Sequence, residues 1–177
     1  ETIFPGGNVS TAEFLYNRWA LPRYFNNIAR AAVQTVVTAR WRQPLRILEI
    51  GAGTGGTTAA LLPVLPAEHT NYCYTDVSDA FLSRAAARFA DFPFVQYGRL
   101  NIEEPAAAQG YPGPFDLVVA ANCVHAVQDL RAALGNIRSV LAPRGMLLLY
   151  EVTTHLPWFD MSVALIEGWG RFADDLR

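Results

Sequence analysis

The sequence predicts an α/β protein with a doubly wound parallel sheet, and three observations support this. Five apolar runs alternate with segments of helical spacing between residues 45 and 152. A glycine-rich turn, Gly51-Ala-Gly-Thr-Gly-Gly56, joins the first apolar run to the helical segment after it. The 177 residues, 51% apolar and 17% charged, are enough to bury one substantial core. Strands that alternate with helices pair in parallel, because each helix crosses a face of the sheet.

Two helices are predicted before the first strand. Residues 10–13, Ser-Thr-Ala-Glu, have the spacing of a capping box and predict a short helix to about residue 18. A second helix is predicted from Pro22, a favoured first helical residue, to about Pro44. Helical spacing over this stretch is kept by Leu21, Phe25, Ile28, Ala32 and Val36.

The remaining elements follow in regular alternation. Apolar runs predict strands at 45–50, 71–76, 94–98, 116–121 and 146–152. Helices are predicted near 55–65, 79–90 and 129–141, and residues 105–114 are predicted to form a loop. Pro63 is expected to tighten or kink the first of these helices. Pro143 and Gly145 are expected to stop the last.

Composition excludes several classes of function. The net charge is −2 and the 14 Lys and Arg form no cluster, so neither nucleic acid nor an anionic membrane is expected as a partner. No apolar run reaches membrane-spanning length and no signal pattern opens the chain, so a cytoplasmic location is expected. Cys73 and Cys123 stand in separate apolar runs, which predicts neither a disulfide framework nor a metal site.

The glycine turn predicts a nucleotide-cofactor cradle, since glycines let the backbone approach a ligand. A P-loop is a poor interpretation, because no lysine follows Gly56. A dinucleotide stays open, because Asp76 lies about twenty residues on, where an acid takes ribose hydroxyls. Glu49 disfavours a dinucleotide, because a carboxylate two residues before the glycines suits a ligand with a cationic end better than one that presents a pyrophosphate. S-adenosylmethionine has an ammonium, a sulfonium and a ribose.

Several blocks resemble a known family in order and spacing. They are "LEIGAGTGG", "YTDVS", "LNIEE", "FDLVVAANCVHA" and "LAPRGMLLLYE", and they are similar to those of class I S-adenosylmethionine-dependent methyltransferases. The opening segment and "EGWGRFADDLR" more narrowly resemble the C-methyltransferase domains of polyketide synthases and hybrid peptide–polyketide synthases. The resemblance covers nearly the whole chain. It implies a Rossmann-like methyltransferase sheet with an N-terminal helical lid.

The resemblance also implies a site for S-adenosylmethionine. Glu49 and the glycines would shape the pocket for the methionine part, and Asp76 would accept both ribose hydroxyls. Asn101 stands where the family commonly has Asp, and would flank the adenine with Ile102. The full set of implied cofactor-binding residues is Glu49, Gly51, Ala52, Gly53, Gly55, Asp76, Val77, Asn101, Ile102 and Asn122.

His125 and Glu151 are the catalytic pair that the resemblance implies. His125 follows the fourth predicted strand and Glu151 ends the fifth. The two strands are expected to be neighbours in this fold, so an imidazole and a carboxylate 26 residues apart in sequence can meet. A neutral imidazole is a suitable base for the acidic α-proton of a β-ketoacyl thioester. Tyr16, in the opening helix, is a further candidate that would cover the cofactor or orient the substrate carbonyl. No metal is expected.

Three functions remain open on the sequence alone. The first is C-methylation of a β-ketoacyl chain tethered through phosphopantetheine to an acyl carrier protein, beside other synthase domains. The second is a non-catalytic methyltransferase-like structural domain, and the third an O-methyltransferase or epimerase with the same cradle. The expected organisation is a lid over 1–43, a cofactor-binding core over 44–154 and a helical segment beginning at 155. A complete fold of this class adds two further strands, so the domain is expected to continue beyond residue 177.

Overall fold

A computed structural model of the chain describes residues 19–40, 42–153 and 173–174. Within these ranges the chain forms four α-helices and five strands. The helices are α1 (Ala20–Ala39), α2 (Gly56–Leu61), α3 (Asp79–Arg88) and α4 (Leu130–Val140). The strands are β1 (Leu45–Ile50), β2 (Thr70–Asp76), β3 (Val95–Arg99), β4 (Phe115–Ala121) and β5 (Leu141–Tyr150). Short 3₁₀ turns lie at Leu62–Val64, Ala67–His69, Ala106–Gln109 and Val124–Ala126.

The five strands form one parallel sheet in the order β3-β2-β1-β4-β5. The predicted doubly wound α/β fold is therefore confirmed. The order runs outward from β1 in both directions, so the chain reverses its winding between β1 and β4. Open sheets of this kind bind ligands at that reversal, beyond the carboxyl ends of the strands.

Two apolar cores lie on the two faces of the sheet. On one face, Ala29 of α1, Leu61 of α2 and Ala85 of α3 pack with Ile47 and Tyr72. On the other, α4 buries Ala133, Ile137 and Val140 against Leu48 and Val118. Because strand side chains alternate between faces, Glu49 shares the face of Ile47 and points under α2.

Helix α1 differs from its prediction in its start and in its buried face. It begins at Ala20, so Pro22 is its third residue. The Arg23 N–H donates a hydrogen bond to the Trp19 carbonyl at 3.2 Å. Pro22 costs no bond there, because the first four N–H groups of a helix have no internal partner. The buried residues of α1 are Asn26, Ala29 and Val33, whereas the stripe that predicted the helix leaves Leu21, Phe25 and Ile28 exposed.

Two other elements differ at their ends. The predicted helix at 55–65 is α2 followed by the 3₁₀ turn Leu62–Val64, which contains Pro63 and matches the expected tightening. The predicted strand at 146–152 begins earlier, because α4 ends at Val140 and β5 starts at once. Its pairing with β4 shifts register between Phe115 and Leu117 and is regular from Met146 to Tyr150. Pro143 and Gly145 thus lie in the irregular start of the strand.

Parts of the predicted organisation lie outside the described residues. These are the short helix at 10–18 and most of the segment from 155 onward. Among the described residues, no helix combines the length and apolar character needed to cross a membrane. Residues 29 and 33 of α1 pack in the same core as β1 and β2, so the described part of the predicted lid is continuous with the sheet.

Candidate active site

The turn after β1 depends on three glycines with positive φ. Gly51, Gly53 and Gly55 have φ of +59°, +57° and +72°, a region that residues with a Cβ rarely adopt. Gly56 is the first residue of α2. A Cβ at Gly51 would lie 2.6 Å from Cys123 Cβ, and one at Gly55 would lie 2.8 Å from the Phe89 ring. The turn therefore requires glycine for conformation at three positions and for space at two of them.

Strand β2 holds this turn in place. The Tyr74 hydroxyl donates to the Gly53 carbonyl at 2.7 Å, and Asp76 Oδ2 accepts from the Gly53 N–H at 2.9 Å. The Ala52 N–H donates to the Thr75 carbonyl at 3.0 Å. Three hydrogen bonds from β2 thus fix the glycine turn in the ligand-free protein.

Glu49 is almost fully buried beneath α2. Its Oε2 accepts hydrogen bonds from Thr58 Oγ1 at 2.6 Å and from the Tyr72 hydroxyl at 2.7 Å. Its Oε1 has no hydrogen-bond partner in the described part of the chain, and the residue lines the cleft beside the turn. Burial raises the pKa of Glu49 to about 7, although the two hydroxyl bonds act in the opposite direction. A cation in the cleft would favour its ionised form.

Asp76 ends β2 and is 6% exposed. Besides the bond from Gly53, its Oδ1 accepts from the Ser78 N–H at 2.9 Å. Burial raises the pKa of Asp76, and the bonds from the Ser78, Gly53 and Val77 N–H groups partly offset that effect. Each carboxylate oxygen has two lone pairs, so both can accept a further bond. Val77, the next residue, is exposed.

A cleft opens at the carboxyl ends of β1, β4 and β5. Among the predicted cofactor-binding residues, Glu49, Gly51, Ala52, Gly53 and Asn122 line it. Asn122 has φ of +50°, which Asn tolerates better than most residues, and it turns the chain after β4. Its N–H donates to the Tyr150 carbonyl at 2.9 Å, and its Oδ1 accepts from the Val152 N–H at 3.1 Å. The turn is therefore tied to the end of β5.

Three polar residues of the cleft were not identified from the sequence patterns. Asn26 Oδ1 of α1, Thr57 Oγ1 of α2 and the Tyr150 hydroxyl of β5 lie 2.7 to 2.9 Å from one another, and the two hydroxyl protons make two hydrogen bonds among the three oxygens. They come from positions far apart in the chain, and the helical spacing of α1 emphasised apolar residues instead. The Thr57-Thr58 pair directly after the glycines was the available signal.

His125 and Glu151 are in contact. The His125 Nδ1 forms a hydrogen bond with Glu151 Oε2, and both side chains are partly exposed. Glu151 Oε1 accepts from the Cys123 and Val124 N–H groups at 3.0 and 2.8 Å, which fixes the 3₁₀ turn that carries His125. The predicted adjacency of the two strands is present as parallel pairing, with Ala121 opposite Tyr150. The pair lies beside Asn122 and Tyr150, which line the cleft.

Asn101 and Ile102 follow β3, next to Asp76, and do not line the cleft described above. The Asn101 Oδ1 accepts from the Glu103 N–H at 3.1 Å, and the backbone of Asn101 is bonded to the Gln109 amide. Ile102 is 6% exposed and packs in the core that contains Val124. Their role toward adenine stays a prediction.

Two further predictions concern residues and sites elsewhere. Tyr16 lies outside the described residues, so its role also stays a prediction. Within the described ranges, no group of three or more His, Cys, Asp or Glu side chains is arranged to hold a metal ion.

Comparison with known proteins gives consistent matches. A family described as a methyltransferase domain matches residues 48–147. The polyketide synthase PksR of Bacillus subtilis (strain 168) is 39% identical over 187 residues, which cover 100% of this chain and 7% of PksR. The crystal structure of the CurJ carbon methyltransferase superposes with a TM-score of 0.93 at 39% identity, over 97% of this chain and 46% of that one.

A third relative was solved with a ligand. The trans-methyltransferase CalH in complex with SAH (S-adenosylhomocysteine) gives a TM-score of 0.73 at 32% identity, over 93% of this chain and 48% of CalH. The chain therefore spans less than half the length of each of these three relatives.

Proposed function

Because this chain belongs to the methyltransferase domain family, we propose that it transfers a methyl group from S-adenosylmethionine to the α-carbon of a β-ketoacyl thioester on an acyl carrier protein. The observation that carries the proposal is the contact between His125 and Glu151 beside the cleft. Its similarity to a polyketide synthase and to a carbon methyltransferase supports the choice of acceptor. The expected partners are a carrier protein and other synthase domains, in the cytoplasm.

The residues of the cleft fit S-adenosylmethionine. Among the described residues, a Cβ on Gly53 would have only the Gly51 carbonyl within 4 Å, at 3.8 Å, and Gly53 lines the cleft. Glu49 Oε1 would face the cationic end of the cofactor. Asp76 is not among the lining residues but bonds Gly53, which is, and from beside the cleft it would take the ribose hydroxyls. When bound, S-adenosylmethionine supplies an electrophilic methyl group on a sulfonium.

His125 would act as the general base. Since Nδ1 contacts Glu151, Nε2 would be the nitrogen that accepts the proton. As Nε2 takes the α-proton, the C–H electrons pass into the enolate of the substrate, whose carbon would form the new bond to the methyl group, while the electron pair of the broken S–CH₃ bond would stay on sulfur and leave S-adenosylhomocysteine. Glu151 keeps the proton on Nδ1 in the resting imidazole and stabilises the imidazolium that forms. General-base catalysis of this kind typically contributes roughly 100- to 10,000-fold in rate.

Isotope exchange tests the base separately from methyl transfer. Wild-type protein with S-adenosylhomocysteine in D₂O should exchange the α-proton of a β-ketoacyl carrier protein faster than the enzyme-free background. His125→Ala should reduce this enzymatic exchange, and methyl transfer with it, by about 100-fold or more. Its affinity for S-adenosylhomocysteine should stay nearly unchanged, because His125 is not among the residues that line the cleft. His69→Ala is the matched control, since His69 is exposed just before the amino end of β2, whereas the cleft lies at the carboxyl ends of the strands.

Glu151→Gln tests whether Glu151 sets the tautomer of His125. If the Gln oxygen keeps the bonds from Cys123 and Val124, its NH₂ faces Nδ1, which must then accept. Nε2 would carry the proton, so exchange should fall roughly as far as in His125→Ala while the protein stays folded.

Three results would redirect the proposal. If His125→Ala exchanges the α-proton and transfers methyl at the wild-type rates, the base is another residue, and Tyr16 is the next candidate. Methyl found on oxygen by mass spectrometry would identify an O-methyltransferase. A folded wild-type protein that binds no S-adenosylhomocysteine would support the non-catalytic alternative.

A further inference from the structure

The backbone of Gln128, three residues after His125, is hydrogen-bonded to two other segments of the chain. The Gln128 N–H donates to Glu103 Oε1 at 2.6 Å, and the Gln128 carbonyl accepts from the Ala173 N–H at 2.8 Å. Glu103 lies after the end of β3, 25 residues before Gln128. Because both partners lie outside the segment that carries His125, these bonds limit how far its backbone can shift relative to the rest of the fold.

A second carboxylate binds the start of α4. The N–H of Leu130, the first residue of that helix, donates to Asp174 Oδ2 at 2.6 Å across 44 residues of sequence. The first N–H groups of a helix have no partner within it, and a negative charge is favoured at that end. The N-cap residue, Asp129, accepts from a different N–H, that of Ala132, at 2.9 Å. Asp174 therefore adds a connection to a distant segment beside the local cap.

These contacts hold the second end of the turn that carries His125. Its first end is held by Glu151 Oε1, which accepts from the Cys123 and Val124 N–H groups. Val127, 7% exposed, packs in the core on the α4 face of the sheet. Apolar packing has no preferred direction, whereas hydrogen bonds do, so the bonds at the two ends set the orientation of the turn.

We propose that Glu103 and Asp174 are positioning residues for His125, a role that rests on the proposed function, in which His125 is the general base. Each carboxylate acts through a backbone N–H after the turn and has no contact with the reacting atoms. Bonds to a carboxylate are charge-assisted and stronger than those to a neutral acceptor. A displacement of about 1 Å can cost roughly 100-fold in rate, so a smaller displacement of the imidazole should cost about tenfold.

Removal of each carboxylate tests this role through rate and binding together. Glu103→Ala and Asp174→Ala should each lower the α-proton exchange of a β-ketoacyl carrier protein, and the kcat of methyl transfer, about tenfold. The KM for the carrier protein and the Kd for S-adenosylhomocysteine, measured by calorimetry, should stay within about twofold of wild type. Glu103 is exposed, so its alanine variant should fold even if Asp174→Ala does not.

Conservative variants and matched controls separate positioning from stability. Glu103→Gln and Asp174→Asn should restore most of the lost rate, because an amide oxygen can accept from the same N–H. Glu104→Ala removes the same charge at the exposed neighbour of Glu103 and should exchange at the wild-type rate. Asp129→Ala removes only the local cap of α4, so it should lower Tm and leave exchange close to wild type.

Four results would show that the two carboxylates do not position His125 while the proposed function stands. They are wild-type exchange in the folded alanine variants, equal losses of exchange and S-adenosylhomocysteine binding, no recovery in the amide variants, and a loss in Asp129→Ala as large as in Asp174→Ala. If wild-type protein exchanges no α-proton above background, the proposed function fails and the positioning role fails with it.

Discussion

At the scale of single residues, the burial of Glu49 makes the free energy of unfolding depend on pH. Its pKa is about 7 in the folded protein against an ordinary 4.5, chiefly because burial disfavours the charged form. Between these pH values the folded state binds more protons than the unfolded state. The free energy of unfolding contributed by Glu49 therefore falls as pH rises from about 4.5 to 7 and is constant above that range.

Glu49→Gln should remove this dependence while its side-chain oxygen still accepts from Thr58 and Tyr72. Each pKa unit is worth about 1.4 kcal/mol, so wild type should lose on the order of 3 kcal/mol relative to Glu49→Gln across the window. Urea denaturation of ligand-free protein at pH 5, 6, 7 and 8 measures the difference. Glu68→Gln, at an exposed position, should show no such trend. A constant difference between wild type and Glu49→Gln would mean that Glu49 is already ionised at pH 5.

At the scale of elements, alanine substitutions in and outside the glycine turn distinguish three effects: backbone strain, steric overlap and loss of ligand binding. Gly51→Ala combines a positive φ with a Cβ that would lie 2.6 Å from Cys123 Cβ, so it should destabilise the most. Gly110→Ala has only the conformational cost, about 1–2 kcal/mol, since no atom of the described residues lies within 4 Å of its Cβ. Gly53→Ala should match Gly110→Ala in stability but bind S-adenosylhomocysteine more weakly, because its Cβ enters the cleft. Thermal denaturation and calorimetry give the two rankings. Equal stability of the Gly51 and Gly110 variants would contradict the steric argument.

At the scale of the whole molecule, the cleft joins elements from distant parts of the chain. Its lining includes residues of α1, the glycine turn and the ends of β4 and β5, so a ligand there contacts distant parts of the chain.

S-adenosylhomocysteine at about 100 times its Kd should add roughly 2.7 kcal/mol to the free energy of unfolding. For a chain of 177 residues this raises Tm by roughly 5–10 °C in a single transition. Differential scanning calorimetry checks this, and Asp76→Ala should show a smaller shift at the same ligand concentration. A shift confined to part of a split transition would show that the cleft does not couple these elements.

The sequence by itself determined the strands and helices, the doubly wound class and the glycine turn. Apolar periodicity and glycine and proline positions are local signals, so they reach these features directly. They also marked Glu49, Asp76, His125 and Glu151 as residues at strand ends. The resemblance to a family added their roles as predictions.

Only the tertiary structure decided which face of α1 is buried and what each polar group contacts. Apolar spacing favoured the stripe of Phe25, yet α1 buries the face with Asn26, whose amide oxygen lies within hydrogen-bond distance of Thr57 and Tyr150. Likewise, Glu151 supports the turn of His125 as well as its imidazole. Such contacts join residues up to 124 positions apart. No local pattern encodes them, because packing and hydrogen-bond satisfaction are settled only when the elements meet.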